Sequence, residues 1–289
     1  MRSYTVLVNP ISGGGRAQAK AAPVLAALTD AGASVHQVRT EGPEHATTAA
    51  REAVEAGHMV VAAGGDGLVR DVADAVAPAG GIMAILPAGR GNDLARRLAI
   101  PTEPGPLAKL LLDGEPRPID VLECGGSIVP GNLYAGIDAT ANAMINSSRW
   151  MPAPVIYRLA PVLAMLRWHA VEFQLTIDGA SRVLRGHTIV VGNTGGYGHG
   201  LDIVPSAVAD DGVFDVMIAG DMPRYKIVAL MREAAEGRHV QRPEIDVVRA
   251  REITIAAARP VPVCADGDYL CQLPVTVRLQ PKALNLIRP

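Results

Sequence analysis

Two neighbouring segments decide how this chain folds, and they read Val60-Val61-Ala62-Ala63-Gly64-Gly65-Asp66-Gly67-Leu68 and Leu86-Pro87-Ala88-Gly89-Arg90-Gly91-Asn92-Asp93-Leu94-Ala95-Arg96-Arg97. Each begins as an apolar strand, passes through glycines and an acidic residue, and continues with the spacing of a helix. Glycine has no Cβ, so backbone N–H groups can come close to a ligand, and the positive N-terminal end of the next helix points the same way. The two loops therefore predict a phosphate-binding site.

Asp66 lies inside the first of these loops. A carboxylate repels a bare phosphate, so this residue indicates a phosphate bridged by a metal ion or a hydroxyl group that the carboxylate activates. Two such loops in succession predict a phosphoryl-transfer site. The structural alternatives are a strand-to-helix turn with a capping aspartate at residues 64–67 and a plain helix N-cap at Asn92. Asp71 either faces the same cleft or is solvated.

Length and composition limit the classes of protein. A chain of 289 residues suits one large or two modest domains, and we expect two. The net charge is −2 and aromatic residues make up 3% of the chain, which argues against a strongly basic nucleic-acid-binding protein and against a platform of stacking rings. The hydrophobic fraction of 49% leaves enough material for large cores.

The cysteines and the hydropathy of the chain indicate its cellular compartment and its relation to membranes. Cys124, Cys264 and Cys271 include no C-x-x-C pair, so neither a disulfide framework nor a zinc site is indicated, and a reducing cytoplasm fits best. The N-terminal residues read as a strand rather than a signal sequence, and we expect no transmembrane segment. The mean hydropathy of +0.20 then reflects cores or a surface that touches a membrane.

The first half of the chain alternates between strands and helices. Predicted strands cover residues 4–8, 35–38, 59–63 and 82–86, and predicted helices cover 17–29, 44–56, 68–77 and 93–98. Asn92 is placed to cap the last of these helices. This alternation predicts a doubly wound parallel sheet, whose ligand lies beyond the carboxyl ends of the strands.

A third glycine-rich loop follows the first strand and reads Asn9-Pro10-Ile11-Ser12-Gly13-Gly14-Gly15. Turns after edge strands often use such residues. The functional alternative is a backbone cradle for nucleotide phosphates, with the Ser12 hydroxyl as a further donor. Since all three loops follow parallel strands of one predicted sheet, we expect them to lie side by side.

Successive strands replace this alternation beyond the proline-rich segments at 101–106 and 115–118. Predicted strands cover 119–124, 128–137, 171–177, 183–192, 213–219, 252–257, 261–264 and 275–279, and predicted helices cover 141–148, 154–168 and 224–237. The pattern predicts an antiparallel sheet or sandwich. We therefore expect an α/β domain over 1–118, a β-rich domain over 119–281, and a return of 282–289 to the first domain.

The chain carries an ordered set of motifs. In the first half they are Asn9-Pro10-x-Ser12-Gly13, Gly64-Gly65-Asp66-Gly67 and Pro87-Ala88-Gly89-x-Gly91-Asn92-Asp93-Leu94-Ala95-Arg96. In the second half they are Gly136-Ile137-Asp138-Ala139, the segment 205–215 and Ala265-Asp266-Gly267-Asp268. Together they resemble the diacylglycerol kinase catalytic-domain family, which includes bacterial soluble lipid kinases, sphingosine kinases and ceramide kinase. NAD kinases and phosphofructokinases share the loop at 64–67, but the loop at Asn92 and the late turn favour the lipid kinases.

The resemblance implies an N-terminal doubly wound α/β nucleotide domain, a C-terminal antiparallel β-sandwich, and ATP with Mg²⁺ in the cleft between them. The catalytic carboxylates would be Asp66, Asp93, Asp266 and Asp268. The nucleotide would be held by Asn9, Pro10, Ser12, Gly13, Gly14, Thr40, Gly64, Gly65, Asp66, Gly67, Leu68, Asp71, Gly89, Arg90 and Asn92. The general base stays open, because bacterial members resemble a mechanism based on the late turn and sphingosine kinases use the residue that matches Asp66.

Three positions depart from the family pattern. Leu68 stands where many bacterial members have threonine, which removes a hydroxyl group and resembles the sphingosine kinase version. Arg90 replaces a usual threonine, and its cation either clamps the phosphates or points to solvent. Asp268 stands where glutamate is usual, so its carboxylate falls roughly 1.5 Å short, which shifts weight to Asp66 as the base.

Asp211-Gly212-Val213 has two interpretations. As a pattern it predicts a hairpin turn. By resemblance, this loop holds a structural magnesium ion through the Asp211 side chain and the carbonyl groups of Val208 and Val213.

Three further features of the second half have open roles. The apolar region 150–168, with Trp150 and Trp168 near its ends, is either a core helix or a lipid-admitting flap or interfacial face. His199 reads as a surface histidine. Asp138 is either a polar residue at a strand end or a contact for a lipid head group.

The function that follows is a cytoplasmic kinase that acts at the membrane surface and transfers the γ-phosphoryl group of ATP to a lipid hydroxyl, with diacylglycerol as the first choice. A sphingoid base is the close alternative acceptor. Two other hypotheses are a soluble-substrate kinase of the NAD kinase type and a nucleotide-binding regulator without turnover, the latter motivated by Leu68, Arg90 and Asp268. A homodimer is left open.

Overall fold

The computed structural model describes residues 2–147, 153–198, 200–223 and 225–289. Parts of the sequence-based expectations lie outside these residues, namely Ser148, Trp150, Met151, Pro152, His199 and Arg224. Within the described ranges, no helix is both long and apolar enough to cross a membrane.

Parallel strands and helices alternate through the first half of the chain. In order they are β1 (Ser3–Val8), α1 (Ser12–Gly15), α2 (Ala17–Asp30), β2 (Ser34–Arg39), α3 (Pro43–Glu55), β3 (Met59–Gly64), α4 (Asp66–Val76), β4 (Ile82–Pro87), α5 (Asp93–Arg97) and α6 (Pro104–Asp113). The strands are parallel in the order β4-β3-β1-β2. The predicted parallel sheet is confirmed, and it brings the carboxyl ends of β1, β3 and β4 together at one edge.

The central strands of this sheet are apolar along their whole length. Every residue of β3 is buried, as expected for a parallel strand that is covered on both faces. Helix α4, which follows β3, buries an apolar stripe at helical spacing made of Leu68, Val69, Val72, Ala73, Ala75 and Val76. This packing fixes where α4 begins, and therefore where Asp66 lies.

The second half is mainly antiparallel. Its elements are β5 (Pro116–Cys124), β6 (Ser127–Val129), β7 (Asn132–Gly136), α7 (Ile137–Ser147), α8 (Ala153–Arg167), β8 (Val171–Ile177), β9 (Ala180–Gly192), β10 (Gly196–Tyr197), β11 (Leu201–Asp202), β12 (Phe214–Gly220), α9 (Tyr225–Ala234), a 3₁₀ helix (Arg238–Gln241), β13 (Ile245–Ala250), β14 (Glu252–Ala257), β15 (Pro262–Ala265), β16 (Asp268–Gln272) and β17 (Val275–Ile287). The main strand order is β16-β15-β7-β9-β8-β14-β17, with β12 beside β9 and β13 beside β12.

Strand β12 shows how this sheet is covered on both faces. Phe214, Val216 and Ile218 join one apolar core, whereas Met217 and Ala219 join another. Alternate side chains of a strand point to opposite faces, so the two cores lie on the two sides of the sheet.

Strand β17 connects the parallel strands of the first half with the antiparallel strands of the second, so that they form one continuous sheet. It pairs with β5 over most of its length, and its Asn285 and Leu286 pair in parallel with Ile82 and Met83 of β4. A register shift between Gln280 and Leu284 separates these two parts of the strand. The domain limits at 118 and 281 stay a prediction, because both fall within the β5–β17 pair.

Some elements differ from the sequence-based prediction. Helix α6 is absent from the sequence-based prediction, which assigns residues 101–106 only to a proline-rich segment. Pro104 and Pro106 lie in its first turn, where prolines are tolerated because the first helical N–H groups have no intrahelical partner. The strand predicted at 128–137 is interrupted at residues 130–131 and gives β6 and β7, and the residues from 137 onward are helical. Strands β13 and β16 were not predicted.

Candidate active site

The three glycine loops pack backbone against backbone. A Cβ on Gly89 would collide with the Cα of Gly65, and a Cβ on Gly13, whose φ is +60°, would collide with the carbonyl oxygen of Ala88. Side chains at these positions would push the loops apart. The glycines predicted from sequence therefore also hold the loops at close distance from one another.

Asp66 holds the start of α5. Its two carboxylate oxygens accept hydrogen bonds from the backbone N–H groups of Asn92 and Asp93, each at 2.8 Å. A Cβ on Gly91 would lie 2.8 Å from Asp66 Oδ2, so glycine keeps that space open for the carboxylate. Asp66 thus serves as the cap of α5 from another part of the chain.

The prediction that Asn92 caps α5 with its side chain is wrong. Asn92 occupies the N-cap position with φ of 54° and ψ of 44°, and its side chain makes no capping hydrogen bond. It bonds back to Gly89 instead, accepting from the backbone N–H at 2.8 Å and donating to the carbonyl at 3.2 Å. Asparagine tolerates this left-handed backbone, and Asp66 already takes the N–H groups that a cap would bind.

The late turn supplies carboxylates from the second domain. Asp266 accepts hydrogen bonds from the N–H groups of Asn132 at 2.7 Å and Gly131 at 3.2 Å. Desolvation raises the pKa of Asp266 to about 7; the hydrogen bond from Asn132 opposes that shift and the charge of Asp66 adds to it. Burial, followed by the charge of Asp93, also raises the pKa of Asp66.

Arg70 joins the two domains at this site. Its guanidinium donates to the carbonyl oxygen of Ala265 at 3.1 Å and lies 3.9 Å from the Asp268 carboxylate and 3.5 Å from that of Asp71. A Cβ on Gly67 would lie 2.7 Å from Asp268 Oδ2, so the late turn packs directly on the start of α4. Arg70 is not among the site residues predicted from the sequence, although its place one helical turn beyond a glycine loop is a signal for such a role.

Arg97 forms a second connection between the domains. Its Nε donates to the carbonyl oxygen of Thr194 at 2.7 Å, and its Nη2 pairs with the Asp202 carboxylate. The neighbouring Arg96 forms an ion pair with Asp93 within the same helix, with 2.9 Å between Nη1 and Oδ1. The tandem arginines of α5 therefore have separate tasks, one within the glycine loop and one across the cleft.

A cavity of about 670 Å³ opens between the domains, and its two ends differ in chemistry. The polar end is lined by Gly65, Asp66, Gly67, Arg90, Gly91, Asp93, Gly131, Asn132, Asp266, Gly267 and Asp268. The apolar end is lined by Ile137, Ala141, Ile145, Val162, Ala164, Met165, Leu201, Ile227, Val228 and Met231. All four predicted catalytic carboxylates thus face one space, which continues into an apolar compartment.

A further polar cluster, around Asp138, also lines the cavity. The Asp138 carboxylate accepts from the Tyr197 hydroxyl at 2.5 Å and the Thr188 hydroxyl at 2.6 Å. Tyr197 stacks on Tyr134, with ring centroids 4.6 Å apart, and Asn142 donates to the Tyr134 hydroxyl at 3.1 Å. Burial raises the pKa of Asp138. Asp138 is therefore a half-buried member of the cavity wall, in the first turn of α7, rather than a plain strand-end residue.

Few of the remaining predicted nucleotide contacts line this cavity. Arg90 is exposed and lines it, whereas the Leu68 side chain is buried in the first core, so only its backbone is available to a ligand. Asn9 accepts from the N–H of Ile11 at 3.2 Å, and Thr40 is buried at the end of β2, where its N–H donates to Val8. The predicted nucleotide contacts that do not line the cavity are Asn9, Pro10, Ser12, Gly13, Gly14, Thr40, Gly64, Leu68, Asp71, Gly89 and Asn92.

The polar end fits a magnesium ion. Mg²⁺ prefers hard oxygen ligands and is often held by one or two carboxylates together with phosphate oxygens. Burial is the main cause of the raised pKa values of Asp66 and Asp266, and the charge of Asp93 adds to the first shift and that of Asp66 to the second, so a divalent cation would relieve a repulsion that the structure contains. In the described part of the chain, no three His, Cys, Asp or Glu side chains form a complete metal cluster.

The loop at Asp211 is tied by protein partners. The Asp211 carboxylate accepts from the N–H of Val213 at 3.3 Å and faces Arg249 at 3.5 Å. Asp120 accepts from the N–H of Gly212 at 2.8 Å. A structural magnesium ion at Val208, Asp211 and Val213 stays a prediction.

Comparisons with known proteins agree with this geometry. The chain matches the diacylglycerol kinase catalytic domain over residues 3–124 and the YegS C-terminal NAD kinase beta sandwich-like domain over 131–288. A diacylglycerol kinase of Mycobacterium tuberculosis is 32% identical, over 99% of this chain and 94% of its own length. A diacylglycerol kinase of Bacillus subtilis is 25% identical, over 95% of this chain and 92% of its own length. The chain therefore belongs to the diacylglycerol kinase catalytic domain family.

Solved structures support the same fold. A crystal structure from Bacillus anthracis matches all of this chain and 95% of its own with a TM-score of 0.81 at 22% identity. A diacylglycerol kinase structure from the same organism matches with a TM-score of 0.73 at 19% identity, over 100% of this chain and 97% of its own. At this level of identity the likeness concerns the fold, an α/β domain followed by an antiparallel β-sandwich domain.

Proposed function

We propose that this protein transfers the γ-phosphoryl group of ATP to the hydroxyl group of diacylglycerol. The observation that carries the proposal is the change in chemistry along one cavity, from glycine loops and four aspartates to a wall of aliphatic side chains. An acyl chain would fill the apolar end, whereas a soluble acceptor would leave it against water. The names of the related kinases support the same acceptor.

The nucleotide is assigned to the glycine-loop side of the cavity. The backbone N–H groups of the loops and the N-terminal end of α4 offer donors to phosphate oxygens. Arg90 is exposed on this side, with no ion pair to any described residue, so its cation is available to the phosphates. When bound, Mg²⁺ would neutralise charge on the phosphates, and Asp66 is the residue placed to hold it.

Asp268 is assigned as the proton acceptor. Both oxygens of Asp66 already accept N–H groups, which fixes that carboxylate in place, and both oxygens of Asp266 do the same in the late turn. The Asp268 side chain is 42% exposed and faces the start of α4 across the cleft. It takes the proton as the acceptor oxygen bonds to the γ-phosphorus and the bond to the departing ADP oxygen breaks.

The cluster around Asp138 is assigned to the polar part of the acceptor. Its members other than Thr188 line the same cavity as the phosphoryl site and the apolar wall, so they are available to the ester groups of a glycerolipid whose hydroxyl faces Asp268. Asn142 already connects this cluster to the late turn, donating to the carbonyl oxygen of Gly267 at 2.6 Å.

The acceptor resides in a bilayer, so the proposal places the enzyme at a membrane surface. The three cysteines are free thiols, which is consistent with the reducing cytoplasm expected from the sequence. Action at the cytoplasmic face of a membrane follows from these two points.

An acceptor panel tests the function. The protein would be incubated with Mg-ATP and, separately, diacylglycerol, a sphingoid base and NAD, and the products identified by mass spectrometry. Phosphatidate as the main product supports the proposal. If phosphorylated sphingoid base or NADP is the main product, the acceptor is the sphingoid base or NAD instead of diacylglycerol. ATP binding without any phosphorylated product favours a regulator.

A further inference from the structure

We propose that the exposed faces of α8 and α9 form a bilayer-docking surface, through which the acceptor lipid passes directly from the membrane into the cavity. This inference rests on the proposed function, because it assigns the route and the surface for the lipid acceptor of that same site. The occupant is the interfacial layer of a lipid bilayer.

Exposed apolar side chains concentrate on these two helices. Among the described residues, eleven large apolar side chains are exposed, and seven of them lie on α8 or α9. Those on α8 are Val155, Leu159, Val162 and Leu166, and those on α9 are Tyr225, Val228 and Met231. Single exposed apolar residues are ordinary, but a concentration on two elements marks an interaction surface.

The spacing shows that each helix presents one continuous stripe. Positions 155, 159, 162 and 166 follow the i, i+4, i+7, i+11 pattern, and positions 225, 228 and 231 follow i, i+3, i+6. The opposite faces are packed: Ile156, Ala160 and Ala164 of α8 are buried, as are Leu230 and Ala234 of α9. The helices therefore each have an inward apolar face and an outward apolar face.

The docking surface is continuous with the cavity. Val162 of α8 and Val228 and Met231 of α9 are exposed, and each also lines the apolar end of the cavity. An acyl chain could therefore move from a bilayer into the cavity along apolar side chains without crossing water. This continuity favours a lipid bilayer over a protein partner as the occupant.

The charges around the stripes suit an anionic bilayer. Helix α8 contains no acidic residue, and the acidic residue of α9, Glu233, is paired with Arg242 at 2.5 Å. Arg167 at the end of α8 and Arg232 on α9 are exposed and make no ion pair with any residue that the structure describes. Basic residues beside an apolar stripe are typical of helices that lie in the membrane interface.

Two substitutions test the surface without touching the cavity. Val155→Glu and Tyr225→Glu place a carboxylate in the first turn of each helix, where it is compatible with the helix dipole. Neither residue lines the cavity. Val183→Glu is the matched control, because Val183 is 65% exposed and lies on strand β9 rather than on either helix.

The first measurement is flotation with phosphatidylcholine vesicles that contain phosphatidylglycerol. We expect the wild type and Val183→Glu to bind the vesicles. The Val155→Glu/Tyr225→Glu double variant should bind at least about tenfold more weakly, because two apolar contacts become charged. Equal binding by the double variant, equal weakening by Val183→Glu, or no binding by the wild type would overturn the proposal.

The second measurement separates this inference from the function. Phosphorylation of a short-chain, water-dispersed diacylglycerol should be the same in the wild type and the double variant, while phosphorylation of long-chain diacylglycerol in the vesicles should fall with vesicle binding. If the wild type phosphorylates neither the short-chain nor the long-chain diacylglycerol, the proposed kinase function is refuted. If the wild type phosphorylates the short-chain lipid but does not bind vesicles, only the docking surface is refuted. The same holds if the wild type is a dimer and the double variant a monomer, because the exposed faces would then be a dimer interface.

Discussion

The Arg70 guanidinium, on α4 of the first domain, donates a hydrogen bond to the carbonyl oxygen of Ala265 in the second domain at 3.1 Å. The same group lies beside the carboxylates of Asp71 and Asp268. One side chain thus connects the start of α4 to the turn that carries the proposed proton acceptor. Its planar fork reaches a carbonyl and a carboxylate together, which a lysine ammonium would do less well.

We therefore predict that Arg70→Lys lowers kcat for lipid phosphorylation at least about tenfold, with a smaller change in the KM for ATP, because the position of the late turn matters most in the transition state. Steady-state kinetics at several Mg²⁺ concentrations would measure both constants. Arg51→Lys, on the exposed side of α3, is the control. An unchanged kcat in Arg70→Lys would show that the connection is incidental.

Asp66→Asn should abolish transfer, with kcat reduced at least about a thousandfold, because the change removes a charge at the proposed magnesium site. An amide also offers one acceptor oxygen where two N–H groups are bound, which costs about 1–3 kcal/mol of stability. Asp113→Asn, on a side chain that is 63% exposed, should match the wild type in both respects. Normal turnover by Asp66→Asn would refute the site assignment.

The raised pKa of Asp266 predicts a pH dependence of stability. Its folded pKa of about 7 lies above the ordinary value of 3.8, so between these values the folded state binds more protons than the unfolded state. The free energy of unfolding of the wild type should therefore fall, relative to Asp266→Asn, as the pH rises from 4 to 7. Urea unfolding across this range would measure the difference, and parallel curves for the two proteins would contradict it.

The close packing of the loops predicts opposite effects at two glycines. Gly89→Ala should destabilise the protein by roughly 1–3 kcal/mol, because its Cβ collides with the backbone of Gly65. Gly105→Ala in α6 meets nothing within 4 Å, so it should be neutral or stabilise by about 0.4–1 kcal/mol. Denaturant unfolding measures both. A Gly89→Ala variant as stable as the wild type would show that the loops have room to separate.

The sequence predicted what depends on local pattern. Alternating strands and helices identified the parallel sheet. The glycines at 64–67 and 89–91 identified the loops, because a backbone that must come close to a ligand favours glycine. The role of Asp66 as the cap of α5 was not predicted. A local rule assigned that role to Asn92, whereas the cap comes from a residue in another loop.

Contacts between the domains were beyond a reading of the sequence alone. Arg70 and Ala265 are far apart in the chain, and so are Arg97 and Asp202. The cluster of Asp138 and Tyr197 depends on which strands are neighbours, which the pattern of the second half did not reveal. The late turn was recognised only by resemblance, because an aspartate-glycine turn by itself is a common hairpin signal.

The most direct test of the account is the rate of phosphatidate formation from long-chain diacylglycerol by the wild type and by Ala141→Trp, which fills the apolar end of the cavity. With Mg-ATP, the wild type should form phosphatidate, and Ala141→Trp should do so at least about tenfold more slowly while binding ATP and unfolding as the wild type does. No phosphatidate from the wild type, or equal rates from both proteins, would contradict a lipid kinase that holds its acceptor in this cavity.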